Sequence, residues 1–383
     1  MKDKGILIGL LIAIGCLASS PLKAQSWKLV ISKTDGSSVE LTTTDVKDIQ
    51  FVEDEELPVL EDKNADQIII KEVYNGGCPK DDGSGFFQMD KCIVLYNNCP
   101  QQIVANNLCF GFATPYNSQA NNTCYDANGQ LVYESEGFTP ALNGIWYYPH
   151  SLVIEPYSQV VINVQGAIDN TLTYSQSVNY ANPAYYCMYD PESGYQNTSY
   201  YPTPADVIPT SHYLKAVKYG QGNAWALSVF SPALFIFQVQ GTTPREYATH
   251  ADNLWYEPGV AQDDIHACIR VPNEWIIDAV EVFAAADKEK DQKRLSSEID
   301  GGYVYLTNKQ GHSLYRNVEA EETQALPENS GKLVYGYSLG AETTDPSGID
   351  AEASIRKGAH IIYKDTDNSS EDFHERQRCS LRD

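Results

Sequence analysis

The chain has 383 residues, with 27 Lys and Arg against 51 Asp and Glu, a formal net charge of -24 and nine cysteines. So acidic a chain has no basic surface to neutralise phosphates, which argues against nucleic-acid and anionic-membrane binding. Its 42% hydrophobic residues and 26 tyrosines exclude an intrinsically disordered tract, and the length allows roughly two domains.

Residues 1–24 carry Lys2 and Lys4, an apolar run from Gly5 to Leu17, then small residues ending in Leu22-Lys23-Ala24. This is the order of a secretory signal peptide, and the run is short for a membrane span. Cleavage after Ala24 would leave no transmembrane span and place the chain in the periplasm, on the outer-membrane surface or outside the cell. The competing reading takes Ala13-Ile14-Gly15-Cys16 as a lipoprotein box with Cys16 acylated.

Cleavage leaves Cys78, Cys92, Cys99, Cys109, Cys124, Cys187, Cys268 and Cys379. An even count in an oxidising compartment predicts structural disulfides, each stabilising by roughly 2 to 4 kcal/mol. Cys99 and Cys109, beside strands with a short connection, are the expected pair. A zinc cluster is disfavoured because Cys78, Cys92, Cys99 and Cys109 contain no CxxC spacing.

Residues 25–52 read as a small β unit, since KLVIS and SVEL alternate on either side of Asp35-Gly36. A lone hairpin is marginal in water. Residues 53–66, acidic and containing Pro58, read as an exposed linker. From Gln67 onwards IIIKEVYN, KCIVLYNN, QIVANNLCFGFA, HSLVIEP, QVVINVQGA, ALFIFQVQ, HACIRVP, IIDAVEVFA and GYVYLTN are short β-branched or aromatic runs between turn residues. They predict an all-β sandwich or barrel over residues 67–383. Ala284 to Leu295 is polar nearly all round, either a helix or a solvated loop. Residues 166–228, rich in Tyr, Asn, Ser and Pro, read as a large loop insertion.

IIIKEVYNGG, DKCIVLYNN and NNLCFG resemble the opening strands of lamin-tail domains, where a second strand ends in "ELYN". HSLVIEPYSQVVIN is similar to the segment running into "LAPGE", VPNEWIIDAVEVF to the "IDSV" strand, and SIRKGAHIIYKDTDNSSEDF to the closing "DTNNS..DF" segment. Together these bracket Gln67 to Phe373 and resemble an uncharacterised lamin-tail-like family of secreted Bacteroidota proteins. The resemblance implies an immunoglobulin-like β-sandwich in the cell envelope, in company with TonB-dependent outer-membrane receptors. The chain departs from the pattern at Asp367, where the family usually has Asn.

The seven histidines form no HxH, HxxxH or HExxH, so only a long-range convergence such as His250 with His266 could make a zinc site. No nucleophile elbow, phosphate-cradling loop or dinucleotide fingerprint is present. Asp365, Asp367 and Asp372, with Asn368 and Glu371, gather oxygen ligands of the kind Ca²⁺ takes, although the same residues also form turns. Trp146, Tyr147 and Tyr148, and the loop residues Tyr195, Tyr200 and Tyr201, are the expected ligand-binding aromatics. The reading is a non-catalytic, exported binding protein, without a required cofactor, whose partner is an envelope or outer-membrane protein or a surface glycan. The alternative is a carboxylate-dependent, glycosidase-like hydrolase with its site in the insertion.

Overall fold

The computed structural model describes residues 28–32, 38–44, 46 and 60–383; the signal segment, Cys16 and residues 53–59 of the linker lie outside the described residues. The chain divides into a unit Met1–Leu57 and a unit Pro58–Asp383. In the first, β1 (Lys28–Ser32) and β2 (Ser38–Thr42) pair antiparallel, as their alternation predicts. Leu29 faces Leu41 across this ladder, and Lys28 pairs with Glu40 at 2.7 Å.

The second unit is all-β at heart. Its largest sheet has twelve strands: β3 (Ile68–Tyr74), β4 (Lys91–Asn97), β5 (Leu108–Phe112), β6 (Gly144–Tyr147), β7 (Gln159–Gln165), β8 (Tyr186–Met188), β9 (Tyr213–Lys218), β10 (Ala233–Gln238), β11 (Ile276–Ala284), β12 (Val304–Leu306), β13 (Ser313–Arg316) and β14 (Phe373–Arg376). Their spatial order is β12-β11-β10-β5-β6-β9-β8-β7-β4-β3-β13-β14. Every residue of β3, β4 and β5 is buried, the mark of strands covered on both faces.

This sheet curls until its edges meet. β12 lies against β14, and the Thr307 N–H donates to Glu375 at 2.7 Å. β11 likewise crosses to β3, where the Ile70 N–H donates to Asp278 at 2.5 Å. Curling removes exposed edges, which otherwise invite pairing with other chains. Phe138–Leu142, Leu254–Tyr256 and Ala267–Pro272 form a smaller sheet. One core, holding Trp146, Trp225 and Leu234, fills one side of the large sheet; another, holding Ile145, Phe235 and Ile269, lies on the other. Gly144 opens β6 at φ +90°, where an added Cβ would strike the Val217 carbonyl of β9.

One expectation is corrected and two are made specific. Residues 166–228 are no loop insertion, because β8 and β9 lie in the middle of the sheet and Tyr195, Tyr201 and Trp225 pack in its core. Of the two readings of Ala284 to Leu295, the solvated loop holds: beyond β11 the segment is mostly exposed and has a 3-10 turn at Lys288–Lys290 before Arg294 and Leu295 plunge into the interior. The end of the linker docks on the main body, Lys63 exchanging backbone hydrogen bonds with Val104 at 2.8 and 2.9 Å.

Among the cysteines, the expected pairing of Cys99 with Cys109 is corrected. All eight from Cys78 to Cys379 are buried free thiols. Cys99 and Cys109 belong to cores on opposite sides of the sheet, so the backbone itself keeps them apart. Cys99 donates its S–H to the Gln101 carbonyl instead, and Cys109 to that of Asn107. Among the described residues no helix is long and apolar enough to cross a membrane.

Candidate functional site

The most developed surface feature lies where β11 ends beside β12. These strands run parallel, with Phe283 opposite Tyr305. Tyr303, just before β12, lays its ring on Phe283 with centroids 4.1 Å apart and planes 12° apart. Tyr305 stands nearly perpendicular to Tyr303, at 79°. The spacing i, i+2 puts both tyrosines on one face of the strand, so they meet as a corner. Phe283 is 5% exposed and Tyr303 38%, which leaves the outer ring face of the stack open.

This corner forms one wall of a groove of about 610 Å³, whose other side comprises Asn122, Tyr125, Lys288, Asp291, Gln292 and Lys293. The far wall is fixed by Arg294. Its Nε donates to Glu281 at 2.9 Å, its Nη2 to Glu281 at 2.6 Å, and its Nη1 to the Ser231 carbonyl at 2.7 Å. Tyr125 adds a hydrogen bond from its hydroxyl to the Lys293 carbonyl at 2.9 Å. The chain therefore leaves β11, turns once, and is pulled back under the sheet, with its polar side chains held over the groove.

The groove's charges are largely engaged. Lys288 sits 4.0 Å above the Tyr305 ring and pairs with Glu342 at 3.4 Å. Lys293 donates to the Gly302 carbonyl at 2.7 Å and to that of Asp300. One Asp291 oxygen accepts from the Ser118 hydroxyl and from the Ala284 N–H at 3.3 Å, whereas the other has no partner. Burial, then the neighbouring Tyr303, raises the Tyr305 phenol above its ordinary value, so it remains a neutral hydroxyl. Such a surface offers aromatic faces and hydrogen-bonding groups, and among the described residues that line it both cations, Lys288 and Lys293, are already engaged.

A second groove, of about 620 Å³, contains Tyr147, Asp190, Glu192, Lys215, Arg245 and Asp264. Asp190 accepts from the Ala216 N–H at 3.0 Å and from Lys215 at 3.3 Å. These bonds hold the carboxylate in the β9 ladder region as a structural acceptor.

The sequence-selected aromatics fall mostly inside the protein. Trp146 is fully buried, its ring 5.5 Å from Tyr195 and 6.0 Å from Tyr201. Three of the six thus meet, but as core. Tyr148 is buried against Phe110 and Tyr186. Tyr147 and Tyr200 are half-buried, Tyr147 lining the second groove and Tyr200 accepting from Gln88 at 3.0 Å. The reason is the area of these rings: chain 191–201 folds back over β6, and each aromatic removes its apolar faces from water.

The acids near the C-terminus surround a cation already present, the Arg316 guanidinium. Its Nη1 lies 3.0 Å from Asp365 and 3.6 Å from Asp372, and its Nη2 binds Asp278. Asp372 also accepts from the Thr366 N–H at 2.9 Å and hydroxyl at 2.8 Å. Asp367 forms the turn itself, at φ +53°, and its carbonyl accepts from the Gly301 N–H. The Ca²⁺ expectation for Asp365, Asp367 and Asp372 is corrected accordingly. His250 and His266 pair with Asp252 and Asp263 in their own loops. Among the described residues no group of three or more His, Cys, Asp or Glu is placed to hold a metal.

The model of a family described as "Protein of unknown function (DUF4876)" matches residues 155–380, a span that takes in the tyrosine-rich stretch and the aromatic corner. A crystal structure of a DUF4876 family protein from Bacteroides thetaiotaomicron VPI-5482 is similar in fold, with a TM-score of 0.57 at 18% identity, over 80% of this chain and 70% of that one. No curated protein matches the chain.

Proposed function

The chain belongs to the DUF4876 family, and from that premise we propose that it is a non-catalytic, exported cell-envelope protein that binds a surface saccharide in the groove beside Tyr303. The observation carrying this reading is the aromatic corner of Phe283, Tyr303 and Tyr305 beside hydrogen-bonding groups in an open groove. Ligand sites combine apolar and aromatic walls with a few placed polar groups. A sugar ring suits this one because its C–H faces stack on aromatic rings while its hydroxyls take the polar rim. Export is supported by the signal-like order of residues 1–24.

The Bacteroidota origin, the lamin-tail ancestry of Gln67–Phe373 with its immunoglobulin-like arrangement, and a role beside TonB-dependent uptake belong to the same proposal. They rest on the sequence resemblance. The hydrolase reading is less favoured, since Asp190, the buried carboxylate of the second groove, is bonded to Ala216 and Lys215.

The test is a panel of neutral oligosaccharides titrated against the full chain and against Tyr303→Ala. Binding by the wild type that weakens at least about tenfold in the variant, with no release of reducing ends, is the expected result. Equal binding by both proteins would move the site away from the groove, and reducing-end release would favour the hydrolase.

A further inference from the structure

Cys92, on β4, and Cys379, just beyond β14, are separated by 287 residues yet lie with their sulfurs 3.9 Å apart. Both are fully buried among Tyr74, Val94, Val161 and Tyr180. At that distance either thiol can donate to the other. We propose that Cys92 and Cys379 form a disulfide by thiol–disulfide exchange, fastening the C-terminal tail to β4.

The tail is already held in register for this bond. The Ser380 N–H donates to Glu72 on β3 at 2.9 Å, and Arg376 pairs with Asp383 at 2.8 Å. A disulfide needs its sulfurs at roughly 2 Å, so closure asks for a movement of about 2 Å, shared between two side chains. The tail's polar contacts fix the backbone while the thiols turn toward each other.

The oxidant is a disulfide, either a small-molecule one such as oxidised glutathione or that of a thiol oxidoreductase. One cysteine, as its thiolate, attacks the oxidant; a bond forms to one oxidant sulfur, and the other leaves as a thiolate. The second cysteine thiolate then displaces the remaining half. The oxidant gains two electrons and the two protons given up by Cys92 and Cys379, and leaves as two thiols. Burial, with the neighbouring Cys92, holds the Cys379 thiol well above its ordinary range. Little thiolate therefore exists in the docked tail, and the exchange proceeds before the tail seats or when it opens.

The experiment refolds the full chain with oxidised glutathione or with dithiothreitol, counts thiols in denaturant, and maps unreduced peptides by mass spectrometry. All nine thiols are expected under reduction, and a linked Cys92–Cys379 peptide, with two thiols fewer, under oxidation. Cys379→Ser should lose that pair of thiols as a redox-sensitive feature. The wild-type map stands alone if this variant does not fold. Absence of the Cys92–Cys379 peptide overturns the proposal, whichever other cysteines pair.

Discussion

Arg294 and Glu281 form a fully buried ion pair in which the guanidinium donates twice to one carboxylate oxygen, while the backbone N–H groups of Arg294 and Leu295 donate to the other at 2.9 Å each. The pair ties the end of the groove wall to β11. Removing one partner strands a charge in the interior, a loss of roughly 3 to 5 kcal/mol. Arg294→Met is expected to lower the urea midpoint by that equivalent. In hydrogen exchange, residues 285–293 should lose protection before the rest of the sheet does.

The Arg316 cluster predicts a substitution of the opposite sign. Asp367 adopts a left-handed backbone that Asn tolerates better than most residues, and Asp365 and Asp372 beside it raise its carboxyl pKa after burial does. Asp367→Asn removes that repulsion and keeps the turn. Its melting temperature should rise by the equivalent of about 0.5 kcal/mol, within the range of local like-charge effects. Millimolar Ca²⁺ and chelator should give equal melting temperatures for both proteins; a Ca²⁺-dependent rise confined to the wild type would count against the guanidinium-centred network.

His374 supplies a pH dependence. Burial, then the nearby Arg376, lowers its pKa from the ordinary 6.5 to about 3. Above pH 6.5 both folded and unfolded chains hold the ring neutral. Between pH 6.5 and 3 the unfolded chain takes the proton and the folded one does not, so stability falls as pH falls. The slope approaches about 1.4 kcal/mol per pH unit well inside that window. The difference in unfolding free energy between wild type and His374→Gln should therefore shrink from pH 7 to pH 5, and a constant difference would contradict the buried neutral ring.

Much of the architecture is legible in the sequence because its strongest signal is local. IIIKEVYN, KCIVLYNN, ALFIFQVQ and IIDAVEVFA are dense in β-branched and aromatic residues, and each becomes a strand. GIWYYPH and the segment around Tyr213 also supply strands, but turn residues interrupt their patterns, and only pairing with β5 and with each other reveals them. The tyrosine-rich stretch misleads for a related reason. Asn, Ser and Pro mark it as loop, yet Tyr195 and Tyr201 bury their rings against Trp146 while their hydroxyls reach the Asn143 carbonyl and the Trp225 N–H. The aromatic corner joins the end of one strand to the start of another, so the i, i+2 spacing of Tyr303 and Tyr305 was readable, but Phe283 beneath them was not.

The contrast between these two aromatic groups gives the last prediction. Trp146 is wholly enclosed, so Trp146→Ala opens a large cavity in the main core and should cost roughly 3 to 5 kcal/mol. Tyr303 is 38% exposed and rests on Phe283 with one face. Tyr303→Ala loses a stacking contact worth about 0.5 to 1.5 kcal/mol beyond its partial burial. The two variants should separate stability from binding: Trp146→Ala lowers the melting temperature severely, whereas Tyr303→Ala lowers it modestly and removes most oligosaccharide affinity. Thermal melts and calorimetric titrations on both proteins make the comparison. If Trp146→Ala instead melts like the wild type and loses affinity, the binding surface lies at β6, as the sequence alone had indicated, and the groove beside β12 is only a gap between packed loops.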